Sequence, residues 1–560
     1  MKRVVSSAGP RKEGHIILLG NGPWADTKQL CIFATRLIRA RRVNVTIFTN
    51  AGDLERAKRE ISSELGNDGA RAAFIRIIVL LSDKYKHFVD PDFDAAVAKA
   101  YVRILSGAPI NCAATKRWYG PLPAPQAIVT PKNSTLEALR RVRAERGTDV
   151  KLYTWYSRVP STLFFFHGPA ERGGVGELRK KIAVESERRH APPEEVLEEV
   201  RRPLPLHCGC GSGSAGMLTL VGQTVVYLES VLIRIPGYEP IYNHECQPQE
   251  LPHHGTLGIE WLTIYDMLST SDGVLMPTPE CFDALSIIGV RYWMGESGRR
   301  AYAVGPTVST GAHALENELM EADKGPEIRD FVSRVLKSHG PQSMIYISLG
   351  TWMWPKYPDK MWTFLDAVMD LGIPFVRSLV SAHGIELTIR QIMSYASELA
   401  VIPDEVREKV ERYQLGLLSS WCPQQLILNH PVTAWFLTHC GHNSVMESIS
   451  AGVPMICWPF VGDGALNAIH LTDTLQCAYE LLEVRTGHGL GRIYRTGAIP
   501  AGTPAAIRDE AARVLRAAFG EDGARRRANV RKVRACFEQA WAPEGESTRA
   551  VETFLEDHGL

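Results

Sequence analysis

Excess charge of either sign is missing from this 560-residue chain: 63 Lys and Arg stand against 62 Asp and Glu, a formal net charge of +1. There is no basic field to attract nucleic acid or an anionic membrane, and neither is expected as a partner. Long apolar runs are missing too. No stretch reaches the uninterrupted length that a membrane span needs, so no integral span is expected. The opening residues, MKRVVSSAGPRKEG, are polar and lack the apolar centre of a secretory signal. Residues 1–14 read as a disordered tail, and the expected setting is cytoplasmic. Cysteine is sparse and scattered: the count is 11, the close pair is Cys208-Gly-Cys210, and no second pair follows at zinc-site spacing. Buried or free thiols in a reducing compartment are expected, with no metal.

Length and patterning are what remain. A chain this long does not close on one core and implies two large domains. Near the start, Ile16 to Leu19 is a short apolar run, with His15 just before it. Leu30, Phe33, Ala34, Leu37 and Ile38 then fall at helical spacing, and Val43 to Phe48 is rich in β-branched residues. This is a strand–helix–strand unit and predicts a parallel sheet. Leu178 to Val200 has helical character. Gly211, Gly213 and Gly216 match a dinucleotide fingerprint in spacing, but Pro203 and Pro205 interrupt any strand before them, and a loop is the better reading. A second alternation starts at Met344–Ile347 and continues through the helix stripe Met361, Phe364, Leu365 and Val368. Pro504 to Ala540 reads as two charged amphipathic helices, with Arg525, Arg526 and Arg527 on a solvated face.

The densest pattern lies between Trp421 and Gly464: WCPQQLILNHPVTAWFLTHCGHNSVMESISAGVPMICWPFVGDG. Pro423 to Asn429 reads as a short helix, Ala434 to Thr438 as a buried strand, Ser444 to Ala451 as a helix stopped by Gly452, and Met455 to Trp458 as a second buried strand. At the strand-to-helix junction stands His439-Cys440-Gly441-His442-Asn443-Ser444. Glycine permits close backbone approach there, and the unpaired N–H groups of a helix start make an anion site that needs no metal.

This segment resembles the nucleotide-sugar signature of the UDP-glycosyltransferases, glycosyltransferase family 1. The Trp-x-Pro-Gln opening, the His-Cys-Gly-x-Asn-Ser-x-x-Glu block, the Gly-Val-Pro and the Trp-Pro all stand at the family spacing, and the phrasing is closest to the fungal branch. The resemblance implies an α/β protein of GT-B architecture: two doubly wound Rossmann-like domains facing a cleft, with a C-terminal helix crossing back. On that reading residues 15–306 form the acceptor-binding domain, 307–342 the interdomain linker, 343–535 the UDP-sugar-binding domain and 536–560 the returning helix. The implied activity is transfer of a hexosyl group, glucose, from a UDP-sugar to a hydroxyl of a small lipophilic acceptor with inversion. UDP-sugar is then a co-substrate, and no cofactor is implied.

A nucleotide sugar offers a flat base, a ribose diol, a diphosphate and a sugar. Trp421 suits stacking on uracil and Gln424 its polar edge. Glu447 suits the ribose hydroxyls, although Ser444-x-x-Glu447 also has the form of a capping box. His439, Asn443 and Ser444, with backbone from Gly441 onward, fit the diphosphate, and Gly350-Thr351 adds donors from another strand end. His442 stands where the plant signature has tryptophan, as the fungal branch tolerates. Asp463 can hold sugar hydroxyls, but Gly464 replaces the family glutamine.

The first domain departs further. The family places a histidine in the turn after the first strand to take the acceptor proton; Asp26 stands there, and Ala25 replaces the preceding glycine. The tract Val129-Thr130-Pro131-Lys132-Asn133 also lacks the aspartate that orients that histidine. Asp26 is either the base itself, with its pKa raised by burial, or the N-cap of the following helix. The second alternative makes the chain a slow enzyme, one confined to acidic acceptors, or a UDP-sugar binder without efficient turnover.

Overall fold

β1 (Gly14–Gly20) and β2 (Val43–Thr49) are buried along their whole length, as strands covered on both faces of a parallel sheet must be. α1 (Trp24–Ala40) joins them and buries Leu30, Phe33, Leu37 and Ile38. The computed structural model describes residues 14–66, 68–81, 91–169, 178–192, 232–250, 255–309, 324–350, 355–379 and 402–560. β3 (Ile75–Val79) follows, then a small antiparallel ladder of β4 (Ile110–Asn111) with β5 (Trp118–Tyr119). β6 (Ala127–Thr130) and β7 (Lys151–Trp155) come next, then a second ladder of β8 (Leu232–Ile233) with β9 (Ile241–Tyr242). β10 (Gly273–Met276) and β11 (Arg300–Ala303) complete a seven-stranded sheet of order β11-β10-β7-β6-β1-β2-β3. Side chains alternate across it: Ile16 and Leu18 pack with Phe33 and Leu37, whereas Ile17 and Leu19 pack with Phe48 and Leu136.

The second sheet holds β12 (Met344–Ser348), β13 (Phe375–Ser378), β14 (Gly416–Ser419), β15 (Thr433–Thr438), β16 (Met455–Cys457) and β17 (Ala478–Glu480), in the order β14-β13-β12-β15-β16-β17. Every pairing within the two large sheets is parallel. α2 (Gly325–His339) lies in the stretch expected to be a linker, yet its Ile328, Phe331, Val332 and Val335 share a core with Met344 and Tyr346 of the second sheet. That same core takes in Phe164, Met276 and Val290 of the first unit, so apolar packing is continuous across the boundary.

Three further elements carry the functional residues: α3 (Gln424–Asn429), α4 (His442–Ala451) and α5 (Asp463–Ile469). The chain then returns. α6 (Glu521–Ala540) sets Phe537 against Phe282, with ring centroids 6.1 Å apart. α7 (Glu546–Asp557) buries Val551, Phe554 and Leu555 in the core beneath the first sheet. Trp541 Nε1 donates to Pro306 O at 2.8 Å, and Tyr302 OH to Asp557 Oδ2 at 2.6 Å. This is the GT-B arrangement with its crossing C-terminal helix. The segment 241–250 makes a second crossing. Thr486 N–H donates to Pro248 O, Gln249 Nε2 to Val484 O, and the His244 ring bonds Arg492 O, all at 3.0 Å.

Several local expectations change. His15 lies within β1, fully buried, its ring bonded at 2.9 Å to both Pro123 O and Thr46 Oγ1. The Arg525–Arg527 cluster is not simply solvated: Arg526 donates to Ala478 O and lies over Tyr479, and Arg527 donates to Ala434 O and lies over Trp435. A helix spans Leu178–Arg189. Cys208, Cys210 and the glycines at 211, 213 and 216 lie outside the described residues. Among the described residues, no helix is long and apolar enough to cross a membrane.

Candidate functional site

In open α/β sheets, ligands bind outside the carboxyl ends of the strands. At the end of β15 the chain passes through His439 and Cys440, whose φ of 62° turns the backbone sharply, and enters α4 with Gly441 as N-cap. Cys440 N–H is held by Thr438 Oγ1 at 3.2 Å. His442, the first residue of α4, donates its N–H to Asp463 Oδ2 at 2.9 Å. A carboxylate on the first N–H of a helix is favourably placed against the helix dipole.

This start, two residues earlier than expected, removes the capping-box reading. Ser444 and Glu447 stand inside the helix. The Glu447 carboxylate instead accepts from Gln424 Nε2 at 2.7 Å and Gln425 Nε2 at 2.9 Å. Gln424 also lies 3.5 Å from Ser444 Oγ and from Tyr346 OH, so its amide is the centre of a polar cluster. Trp421 opens the loop between β14 and α3, its carbonyl held by Ser419 Oγ at 2.8 Å. Thr351 lies outside the described residues.

His439 is crowded by two glycines. A Cβ added to Gly350 would lie 2.6 Å from its Cε1, and one added to Gly441 would lie 2.4 Å from its Nε2. Burial pushes its pKa down to about 4 against a smaller opposing pull from Asp463, so the ring is neutral near pH 7. Its Nδ1 is buried with no hydrogen-bond partner among the described residues, which leaves a polar atom for a ligand. His442 turns the other way. Its ring, also held at about 4 by burial, sits 3.3 Å from Thr278 Oγ1 and 3.5 Å from Pro277 O, beyond the end of β10. Gly464 has a local cause: a Cβ there would stand 2.6 Å from the His439 carbonyl oxygen. A glutamine cannot occupy that position unless the turn moves.

Across the cleft, α1 begins at Trp24 with Pro23 as its N-cap. Asp26 lies one turn in, its N–H donating to Pro23 O at 3.0 Å. It is therefore not the cap. Burial raises the pKa of its carboxyl, partly offset by a hydrogen bond from Ser157 and the charge of Arg158, which both follow β7. The acid-free tract 129–133 runs beside this turn, Pro131 Cγ lying 3.7 Å from a Cβ built on Gly22.

The next residues of α1 reach the second domain. Lys28 Nζ lies 3.5 Å from Glu447 Oε1, and Gln29 Nε2 donates to Asn443 Oδ1. Gln29 is held in turn by Trp155 Nε1, which donates to its Oε1 at 3.0 Å. The structure thus gathers Gln424, Ser444 and Glu447 in one cluster and Gly350, His439 and Gly441 in another. Asp463 is tied to the helix start between them. Sequence reasoning missed Lys28, Gln29, Gln425, Ser157 and Arg158. Their only signal was position: four of them stand just after the first-sheet strands β1 and β7.

Comparison with known proteins gives a consistent result. Residues 325–486 match the family described as UDP-glucoronosyl and UDP-glucosyl transferase. The UDP-glycosyltransferase eriJ of Hericium erinaceus is 23% identical over 97% of this chain and 98% of its own. A transferase from Siraitia grosvenorii, solved in complex with UDP, superposes with a TM-score of 0.62 at 17% identity, covering 98% of this chain and 100% of that one. UGT71G1 of Medicago truncatula, solved with UDP-glucose, gives a TM-score of 0.61 at 16% identity over 98% and 99%.

Proposed function

We propose that this chain is a UDP-glycosyltransferase, as its similarity to that family supports, and that it moves glucose from UDP-glucose to a hydroxyl of a small lipophilic acceptor with inversion, in the cytoplasm. The second domain holds the donor and the first the acceptor. The acceptor oxygen attacks the anomeric carbon from the face opposite UDP. An oxygen–carbon bond forms as the carbon–oxygen bond to the β-phosphate breaks, and the bonding pair leaves on UDP. The acceptor proton goes to the Asp26 carboxylate. Main-chain N–H groups at the start of α4 and neutral His439 meet the charge that develops on the phosphate, without a metal.

The observation that carries this reading is α1. Asp26 stands within one helical turn of Lys28 and Gln29, which contact Glu447 and Asn443. A base on this turn is therefore tied to the donor pocket. Its raised pKa brings the carboxylate closer to the range that suits a general base, although the base works only above that pKa.

The test is UDP release from UDP-glucose with a panel of phenolic and sterol acceptors, for wild type, Asp26→Asn and Asp26→His. Turnover by wild type, lost in the asparagine variant with UDP binding retained, is the expected result. An asparagine variant as active as wild type refutes Asp26 as base. A silent wild type that still binds UDP refutes turnover itself.

A further inference from the structure

Among the described residues that frame it, the donor side of the cleft carries an unbalanced negative charge. Glu447 and Asp463 each bring a carboxylate. The two histidines beside them, His439 and His442, are kept neutral by burial. A nucleoside diphosphate sugar adds two negative charges, and the departing nucleotide gains another. Main-chain N–H groups supply partial charges only. Without a formal positive charge, the pocket would bind its ligand against two carboxylates in a partly desolvated space.

Lys28 brings such a charge from the opposite wall. Its ammonium lies 3.5 Å from Glu447 Oε1, and both side chains are only 15% exposed. On the first domain it also faces Glu60, a buried carboxyl on the helix Leu54–Leu65 that is bonded to Ser309. The adjacent residue, Gln29, is bonded to Asn443 at the start of α4, which fixes the helix against the proposed diphosphate position. Lys28 therefore stands where the ribose side of the pocket meets the phosphate side. A lysine ammonium has three rotatable donors on a flexible stem and can pass from a carboxylate to a phosphate oxygen with little rearrangement.

We propose that Lys28 is a cation of the donor site: carried in by the first domain, it pairs with the diphosphate of the bound nucleotide sugar and stabilises the charge on the nucleotide as it leaves. This rests on the donor pocket proposed above. It makes donor binding a property of both domains, and it places the cation on the same helical turn as the candidate base.

The rival role is a lock, in which Lys28 merely holds Glu447 away from ribose. Calorimetry with UDP, UMP and uridine on wild type, Lys28→Met and Lys28→Arg separates the two. Lys28→Met is expected to weaken UDP by about 10-fold or more, in keeping with loss of a charge-assisted partner. UMP should suffer less, and uridine should bind unchanged or more tightly. Lys28→Arg should stay near wild type for UDP, and added salt should weaken UDP more in wild type than in Lys28→Met. The proposal is overturned if Lys28→Met leaves the ratio of UDP to uridine affinity at its wild-type value, or tightens both equally as a released lock would. Failure of wild type to bind UDP at all would refute the donor pocket itself, a different result from any change confined to the variants.

Discussion

Gly441→Ala isolates what the crowding of His439 does. Gly441 has φ −61° and ψ 148°, a conformation open to any residue, so alanine there adds no backbone strain. Its only consequence is the new methyl, which would stand 2.4 Å from His439 Nε2. Ordinary contact needs about 1 Å more than that. The ring has little room to slide, because Gly350 crowds it as well, a Cβ there lying 2.6 Å from Cε1. Either the ring leaves its slot or the turn before α4 shifts. Overpacking of this kind costs about 1–3 kcal/mol. If that cost falls on the ligand-binding geometry, UDP affinity drops by roughly 5-fold to 150-fold, since 1.4 kcal/mol is tenfold. Titration calorimetry with UDP measures this, with thermal unfolding as control. A double-mutant cycle decides the cause. With His439→Ala in place there is no ring for the methyl to strike, so adding Gly441→Ala should do little more harm. Full additivity of the two substitutions would refute the crowding.

Other perturbations read other parts of the molecule. Arg495 is 6% exposed and pairs with Asp473, Glu480 and, at 3.5 Å, Glu245 of the 241–250 crossing; Arg495→Met leaves these carboxylates without their shared cation and should cost about 3–5 kcal/mol in denaturant unfolding. Glu510 is pushed up to about 7 by burial, against hydrogen bonds from the N–H groups of Leu482 and Glu483. The native state thus holds a proton that the unfolded chain releases near 4.5, so this group's stabilisation is full below 4.5 and is lost as pH rises through about 7. Glu510→Gln should flatten the stability-versus-pH slope across that window. Phe554→Ala removes a fully buried ring that packs 5.3 Å from both Tyr153 and Tyr302, and should destabilise the chain by about 3–5 kcal/mol.

What the sequence disclosed was the part whose causes are local. The run from Trp421 to Gly464 shows its strand, turn and helix because buried β-branched and apolar runs, glycines and prolines act over a few residues. The helix start at His442 was misplaced because its stabilising partner, Asp463, lies 21 residues on and reaches the backbone through space. The cap alternative for Asp26 arose because aspartate often is one; Pro23, with φ preset near −54°, opens the helix instead. The pairs Lys28–Glu447 and Gln29–Asn443 join residues more than four hundred positions apart. No periodicity announces such a contact. The arginines at 526 and 527 were assigned to solvent because charge runs usually face it; their guanidiniums instead meet strand carbonyls and aromatic faces that only the assembled second domain presents.

The returning helix also sets an order of events during synthesis. Phe554 and Leu555 complete the core beneath β1, and Leu560 packs against Gly14 where that strand begins. The half of the protein that leaves the ribosome first therefore lacks a piece of its interior until residues 551–560 have been made. Newly made chains must keep that apolar face covered, or wait with it open, until this segment arrives.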